Sequence, residues 1–477
     1  MKRINLFVLC SLLFVSLCAQ ERIMVIADPH VLPQSVIETE ANFDEYMAKQ
    51  RKMVDLSEPI WNALMDTAMK YHPDLLLIPG DLTRDGEPEA HALVSNSLAQ
   101  LAQAGIPSIV IPGNHDKTDW FTPSAQEPIE GLTVLAFYDG VDVKWLVEQA
   151  DAAIAKGNTV IAMTHRQLVD HFDGKSTLEP SARLSNADAV RDSLMAHGVH
   201  LVLTGHFHVN SISTWRDSIT GDSLVELSTG SPITYPCPYR WLTLSPDRSQ
   251  ISVQTEYLTA VDTIKDLYTY SRDWMVEHTE NMIPTLAVRA WNKVDSKWDS
   301  SIVPKLKQVG LSDVTIEYIH YNLMPSTDEA RIDITRRHLG NAAVNLYLFH
   351  SEANEFERPE RGQELADAVY TGMNGIIDEC FGIMAQMVAP MKVMAIKMAK
   401  GPVQSLVEDM TQRDSELYAN ITDDLHPVLT IGIPQTHEAI DPVTANPSPL
   451  TVKYLRDGQL IILHNSRLYN AQGIRLQ

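Results

Sequence analysis

Seven side chains recur in the order Asp28, His30, Asp81, Asn114, His165, His206 and His208, separated by long stretches of ordinary globular sequence. Two carboxylates, one amide and four imidazoles are oxygen and nitrogen donors of the hard-to-borderline kind that suit manganese, iron or zinc. They are too many for one closed tetrahedral site. Two divalent ions sharing a carboxylate would use them all, and such a pair is suited to hydrolysis at phosphorus. Each residue alone has a plainer explanation, such as a helix cap for Asp28 or a simple turn at Gly80-Asp81 and Gly113-Asn114. Their joint occurrence, each at the end of the same kind of element, argues for chemistry.

That element is a short apolar run rich in branched residues. Arg22 to Ala27 ends at Asp28-Pro29-His30, and Asp74 to Pro79 runs into Gly80-Asp81. Ile106 to Ile111 leads to Pro112-Gly113-Asn114-His115-Asp116, Thr159 to Met163 to Thr164-His165, and His200 to Thr204 to Gly205-His206-Phe207-His208. Such runs read as buried strands feeding polar loops. Between them, Glu58 to Tyr71 and Glu89 to Ala104 carry apolar residues at helical spacing, so the pattern is α/β with a largely buried sheet. In sheets of this kind ligands bind beyond the carboxyl ends of the strands, where these polar residues fall.

The series Asp28-x-His30, Gly80-Asp81, Gly113-Asn114-His115-Asp116, His165 and Gly205-His206-x-His208 resembles the calcineurin-like metallophosphoesterase superfamily over about residues 22 to 260. Its complete Asn-His-Asp and His-x-His signatures look most like bacterial phosphodiesterases of cyclic nucleotides or glycerophosphodiesters. The resemblance implies a four-layer α/β/β/α sandwich. It implies that Asp28, His30 and His208 hold one divalent ion, that Asn114, His165 and His206 hold the other, and that Asp81 bridges them. A hydroxide shared by the ions would attack phosphorus, with His115 protonating the leaving oxygen or stabilising its charge. Asp116 either orients His115 or caps the following turn.

Two positions depart from the family pattern. Many members have Asp or Asn three places after the Asp of the Gly-Asp block, where this chain has Arg84 followed by Asp85. Many also have Pro two residues after the lone histidine, where this chain has Gln167 after Arg166. Arg84 and Arg166 are candidate contacts for the substrate phosphate. The Pro-rich segment from Ser228 to Arg240 reads as a loop on the side of the site rather than a central strand, with Tyr235 or Arg240 as candidates for a leaving-group pocket. His72, His91, His171, His197 and His200 have no spaced partners and read as core or surface residues.

The remaining sequence bounds the setting. In 477 residues, 44% are hydrophobic and 21% charged, as in an ordinary soluble protein of several domains. A net charge of −23 disfavours a nucleic-acid scaffold while leaving room for a small-molecule or lipid-linked phosphate ester. Lys2-Arg3, an apolar run from Leu6 to Val15 and Ala19 read as a signal peptide over residues 1–19, which places the mature protein in the periplasm or outside the cell. Lipidation at Cys18 is the rival reading and the one route to membrane association. Cleavage leaves Cys237 and Cys380, enough for one disulfide and too few for a thiolate zinc site.

The expected divisions are a phosphoesterase domain over 20–262, a mainly helical domain over 263–424 and a short C-terminal β segment over 425–477. The helical part is rich in Trp and Met and suits a dimer face or a lid. Its Met-rich stretch from Ile383 to Met398 reads as a buried helix or subunit contact. Leu450 to Leu455, Asp457-Gly458 and Leu460 to Leu463 read as a hairpin. The competing function is a binding module on the same fold that has lost its chemistry. Such a module would be expected to lack some donors, and here none is missing.

Overall fold

A computed structural model describes residues 20–171, 181–217, 220–262, 264–308, 310–353, 358–381 and 426–430, and the strands between 451 and 470. The chain divides into two compact units, Met1–Pro434 and Gln435–Gln477. The first begins with β1 (Arg22–Val25), α1 (Ser57–Tyr71), β2 (Leu75–Pro79), α2 (Pro88–Gln103) and β3 (Ser108–Ile111). It continues through β4 (Ser124–Ile129), β5 (Leu132–Ala136), α3 (Val143–Ala155), β6 (Thr159–Met163), α4 (Ala187–Ala196) and β7 (Leu201–Thr204). Next come β8 (Ser211–Arg216), β9 (Ser223–Ser228), β10 (Pro238–Leu244) and β11 (Gln250–Tyr257).

These strands form two six-stranded mixed sheets. One has the order β12-β11-β10-β1-β2-β3, where β12 is Val428–Thr430, and the other β4-β5-β6-β7-β9-β8. Alternation along each strand explains the layering. Ile23, Val25, Leu75 and Leu77 turn inward and pack with Leu132, Val134, Ile161, Leu201 and Leu203 of the second sheet. Met24, Ile26, Leu76 and Ile78 turn outward onto Ile60, Trp61 and Leu64 of α1 and Val94 and Leu101 of α2. The far face of the second sheet packs on Leu146 and Ala150 of α3 and Val190 and Leu194 of α4. The result is the α/β/β/α sandwich that the motif series implies.

One sequence expectation is corrected. Residues 229–237 do form a loop, but Pro238 opens β10, which lies between β1 and β11 inside the first sheet. Proline is compatible with a central strand at its first residue, where no ladder donor is needed. A strand at 428–430 also joins this sheet, pairing with Gln250–Ser252, so the sheet recruits residues from far beyond the helical region.

That region starts with α5 (Leu267–Lys297), whose N-terminus is capped by Asp266 accepting from the Thr269 N–H at 3.0 Å. After a π-helical turn at Trp298–Ile302 and a short helix at Val303–Gln308 come α6 (Asp313–Asn322), α7 (Asp328–Glu352) and α8 (Pro359–Phe381). Helix α7 packs between α5 and α8. No helix among the described residues is long and apolar enough to cross a membrane. The second unit is a three-stranded antiparallel sheet of β13 (Thr451–Arg456), β14 (Gln459–His464) and β15 (Arg467–Asn470), which contains the expected hairpin and one strand more. The signal peptide with Cys18 and the stretch from Ile383 to Met398 lie outside the described residues.

Candidate metal centre

β1, β2 and β3 run parallel side by side, and so do β6 and β7 in the facing sheet, so five loops leave the sandwich at one edge. They bring the seven donors together. Asp28, His30, Asp81 and His208 offer ligand atoms all within 4.8 Å of one another, and so do Asp81, His165 and His206. Asp81 belongs to both groups. The Nε2 atoms of His30 and His208 are 3.1 Å apart, and His165 Nε2 lies 3.1 Å from Asn114 Oδ1 and 3.2 Å from His206 Nδ1. Asp81 Oδ2 stands 3.5 Å from His30 Nε2 and 3.4 Å from His165 Nε2.

The backbone is strained where these side chains converge. Asp28, His30, Asp81, His206 and His208 all have positive φ, between 41° and 66°, a region that residues with a Cβ seldom adopt. Backbone donors hold the carboxylates in place. The His206 N–H donates to both oxygens of Asp28 at 2.9 and 3.0 Å, and the His115 N–H donates to Asp81 Oδ1 at 2.9 Å. His165 Nδ1 bonds the Pro79 carbonyl at 2.9 Å, which leaves Nε2 free to face the cluster. Gly113 is required by this packing, because a Cβ there would lie 2.0 Å from Asp81 Oδ1.

Charge distribution shows that the cluster favours a cation at its centre. Burial pushes the Asp28 carboxyl up to about 8, against the pull of His165 and with the help of Asp81. Burial also works to raise Asp81, yet His165, His30 and the His115 N–H hold it far below the usual carboxylate range. His165 is pushed up to about 9, burial being outweighed by Asp81 and Asp28. His30 and His208 are pushed down, by burial first and then by the nearby charge of Lys52. The unprotonated rings of His30 and His208 beside the Asp81 carboxylate are the donors a divalent cation needs, and a bound cation would displace the protons that Asp28 and His165 otherwise hold. The donor set therefore fits two ions, with Asp28, His30 and His208 around one, Asn114, His165 and His206 around the other, and Asp81 between them.

His115 sits at the rim of this cluster, with its ring centroid 4.8 Å from that of His30 and its side chain one-third exposed. Its Nδ1 is held by Asp85 Oδ1 at 2.7 Å. Asp116 instead accepts from the N–H groups of Leu82, Thr83 and Gly113 and from the Thr83 hydroxyl, at 2.7 to 2.9 Å, so it ties two ligand-bearing loops together. Among the described residues Asp116 takes neither of the two roles open to it in the sequence: it joins the loops after β2 and β3, and Asp85 is the residue that holds His115.

The other candidates are engaged by groups of the protein itself. Arg84 is paired with Glu40 at 2.6 Å and Glu87 at 2.7 Å, and Arg166 with Asp139 at 3.3 Å, so both charges are already met by carboxylates. Tyr235 is buried, and its hydroxyl bonds Tyr268 of α5 and Glu352 of α7, both at 2.7 Å. Arg240 is fully buried in β10 opposite Val25, on the sheet face that packs against the other sheet. The loop that leads to Arg240 does lie on the site side. Ser231 Oγ donates to the Asp28 carbonyl at 2.7 Å, and Thr234 Oγ1 to that of His208 at 3.3 Å.

Two features escaped the sequence reading. Glu226, fully buried in β9, accepts from the Leu168 and Val169 N–H groups at 2.7 and 2.9 Å, from Thr204 Oγ1 at 3.0 Å, and meets His171 Nε2 at 2.9 Å. It thereby braces the loops after β6 and β7 that carry His165, His206 and His208. His171, read in sequence as a core or surface residue, is part of that brace. Lys52 is the second, a half-buried residue whose charge acts on Asp81, Asp28, His30 and His208, and no spacing singles it out. Cys237 and Cys380 are both free and buried, packed in different apolar clusters.

Comparison with known proteins follows the same lines. The family model described as calcineurin-like phosphoesterase matches residues 21–210. Over 217 residues the chain is 28% identical to a probable cyclic nucleotide phosphodiesterase from Synechococcus sp., covering 38% of this chain and 76% of that protein. Over 109 residues it is 30% identical to the DNA double-strand break repair protein Mre11 of Sulfurisphaera tokodaii, covering 21% of this chain and 28% of that protein. Among solved structures, a dimetal phosphatase from Danio rerio aligns with 49% of this chain and 95% of its own, at 13% identity and a TM-score of 0.37.

Proposed function

The chain belongs to the calcineurin-like metallophosphoesterase superfamily through residues 21–210, and from that premise we propose that it is an exported hydrolase of phosphodiesters that uses two divalent ions. The observation that carries this reading is the sharing of Asp81 between two donor groups, with His115 and its partner Asp85 at their rim. Bound there, two ions of manganese, iron or zinc would supply charge for the phosphate oxygens and acidity for the attacking water. Asp81 would serve both positions, and Asp28, His30 and His208 on one side and Asn114, His165 and His206 on the other would complete them. His115, held through Nδ1 by Asp85, presents its other nitrogen to the leaving oxygen and gives it a proton as the P–O bond breaks. Asp85 fixes the ring's orientation, as a carboxylate partner commonly does for a catalytic imidazole.

The likeness to a cyanobacterial protein named as a cyclic nucleotide phosphodiesterase supports a diester over a monoester. The Lys2-Arg3 and apolar Leu6 to Val15 pattern supports export to the periplasm or beyond, where a small-molecule or lipid-linked phosphate ester would be the substrate. In this reading residues 20–262 are the catalytic domain, and the helical region is its lid or dimer face. The test is hydrolysis of chromogenic phosphodiesters and phosphomonoesters by chelated and metal-repleted protein. The reading expects activity to return with Mn²⁺ or Zn²⁺ and to be greater on the diester; greater activity on the monoester reverses the substrate assignment.

A further inference from the structure

Lys52 stands in a segment gripped from two sides. The Met53 N–H donates to the Ile233 carbonyl at 2.8 Å, in the loop that also supports Asp28 and His208. From the helical region, Trp274 Nε1 of α5 donates to the Gln50 carbonyl at 3.2 Å, and the Arg51 guanidinium lies 4.5 Å over the ring of Tyr347 of α7. Lys52 itself is half-buried, and its charge acts on Asp81, Asp85 and Asp28 and on the rings of His30 and His208. Among the described residues its ammonium makes no hydrogen bond and no ion pair within 4.0 Å, in contrast to Arg84 and Arg166, which carboxylates already neutralise. A half-buried ammonium without a close partner is costly, and two bound cations would raise that cost until an anion arrives.

We propose that Lys52 is a substrate-binding residue whose ammonium contacts a phosphoryl oxygen, and that α5 and α7 position it through Trp274 and Tyr347. This rests on the phosphoesterase reading above. It gives the helical region a part in the site, holding the one cation near the ligands that has no carboxylate of its own among the three considered. A lysine meets a phosphate as a compact point charge, so arginine at the same place should substitute in part.

The experiment uses the full chain loaded with metal, comparing wild type with Lys52→Met, Lys52→Arg and Trp274→Phe. Binding of inorganic phosphate is measured by calorimetry, KM and kcat on a chromogenic phosphodiester, and metal content on the same samples. Loss of one charge-assisted contact should raise the phosphate Kd and KM of Lys52→Met roughly 10- to 100-fold with metal content unchanged. Lys52→Arg should recover most of that, and Trp274→Phe should raise KM by a few-fold with kcat preserved. An unchanged phosphate Kd in Lys52→Met overturns the proposal, as does loss of bound metal in that variant. If metal-loaded wild type hydrolyses no ester, the phosphoesterase reading fails, and the phosphate affinities still decide the role of Lys52.

Discussion

The strand-end loops of the sandwich and the helices α5 to α8 treat polar residues in opposite ways. In the loops, Asp28, His30, Asp81 and His165 are buried with imidazoles facing carboxylates, and five donors stand on left-handed backbone. In the helices the charged groups pair across the surface, as Arg337 does with Glu379 at 2.7 Å and Asp333 at 3.0 Å, and as Arg331 does with Asp295 at 2.5 Å. Among those helices the positive φ of a residue other than glycine is that of Ala353, where it ends α7. The difference teaches where cost is being borne. Buried charge and left-handed backbone collect where a cation is to be held, while the helices pair their charges at the surface and support the loops from outside.

If that contrast is right, substitutions should fall into a graded series. Asp81→Asn should lower turnover by three or more orders of magnitude and reduce metal content, because the shared charge is lost from both groups. His115→Ala should lower kcat by roughly 100-fold with metal retained, and metal analysis showing loss instead would move His115 into the ligand set. Asp85→Asn should cost roughly 10-fold in kcat and leave KM unchanged, whereas Asp116→Asn should act on thermal stability, since it holds four loop donors and not the imidazole. On the helical side, Tyr235→Phe should lower stability by about 1 kcal/mol in a denaturant titration with kcat preserved, having lost only its bonds to Tyr268 and Glu352. The smallest effect belongs to Arg84→Lys, whose KM should stay within about twofold of wild type because Glu40 and Glu87 occupy that charge.

Much of this was legible in the sequence, for a physical reason. A strand buried on both faces has no room for polar side chains, so Asp28, Asp81, Asn114, His165 and His206 mark the strand ends by their type, and those ends share one edge of the sandwich. What sequence proximity cannot convey is pairing between loops. Asp116 adjoins His115 and is in sequence one candidate to orient it, yet Asp85 reaches it from a loop 30 residues away. Tyr235 and Arg240 have the chemistry of a binding pocket, but strand alternation turns Arg240 toward the facing sheet and the helices take up the Tyr235 hydroxyl. Lys52, in a segment rich in basic residues, gains its place from Trp274 and Tyr347, more than 200 positions on.

The central claim is that the seven donors hold two divalent ions which the hydrolysis requires. It is tested most directly by metal analysis of the full chain, titrated back after chelation, with phosphodiester hydrolysis followed at each step. Two ions per chain, with activity rising as the second is bound, is the result expected. Full occupancy with no hydrolysis of either diesters or monoesters, or hydrolysis that survives complete removal of metal, would contradict it.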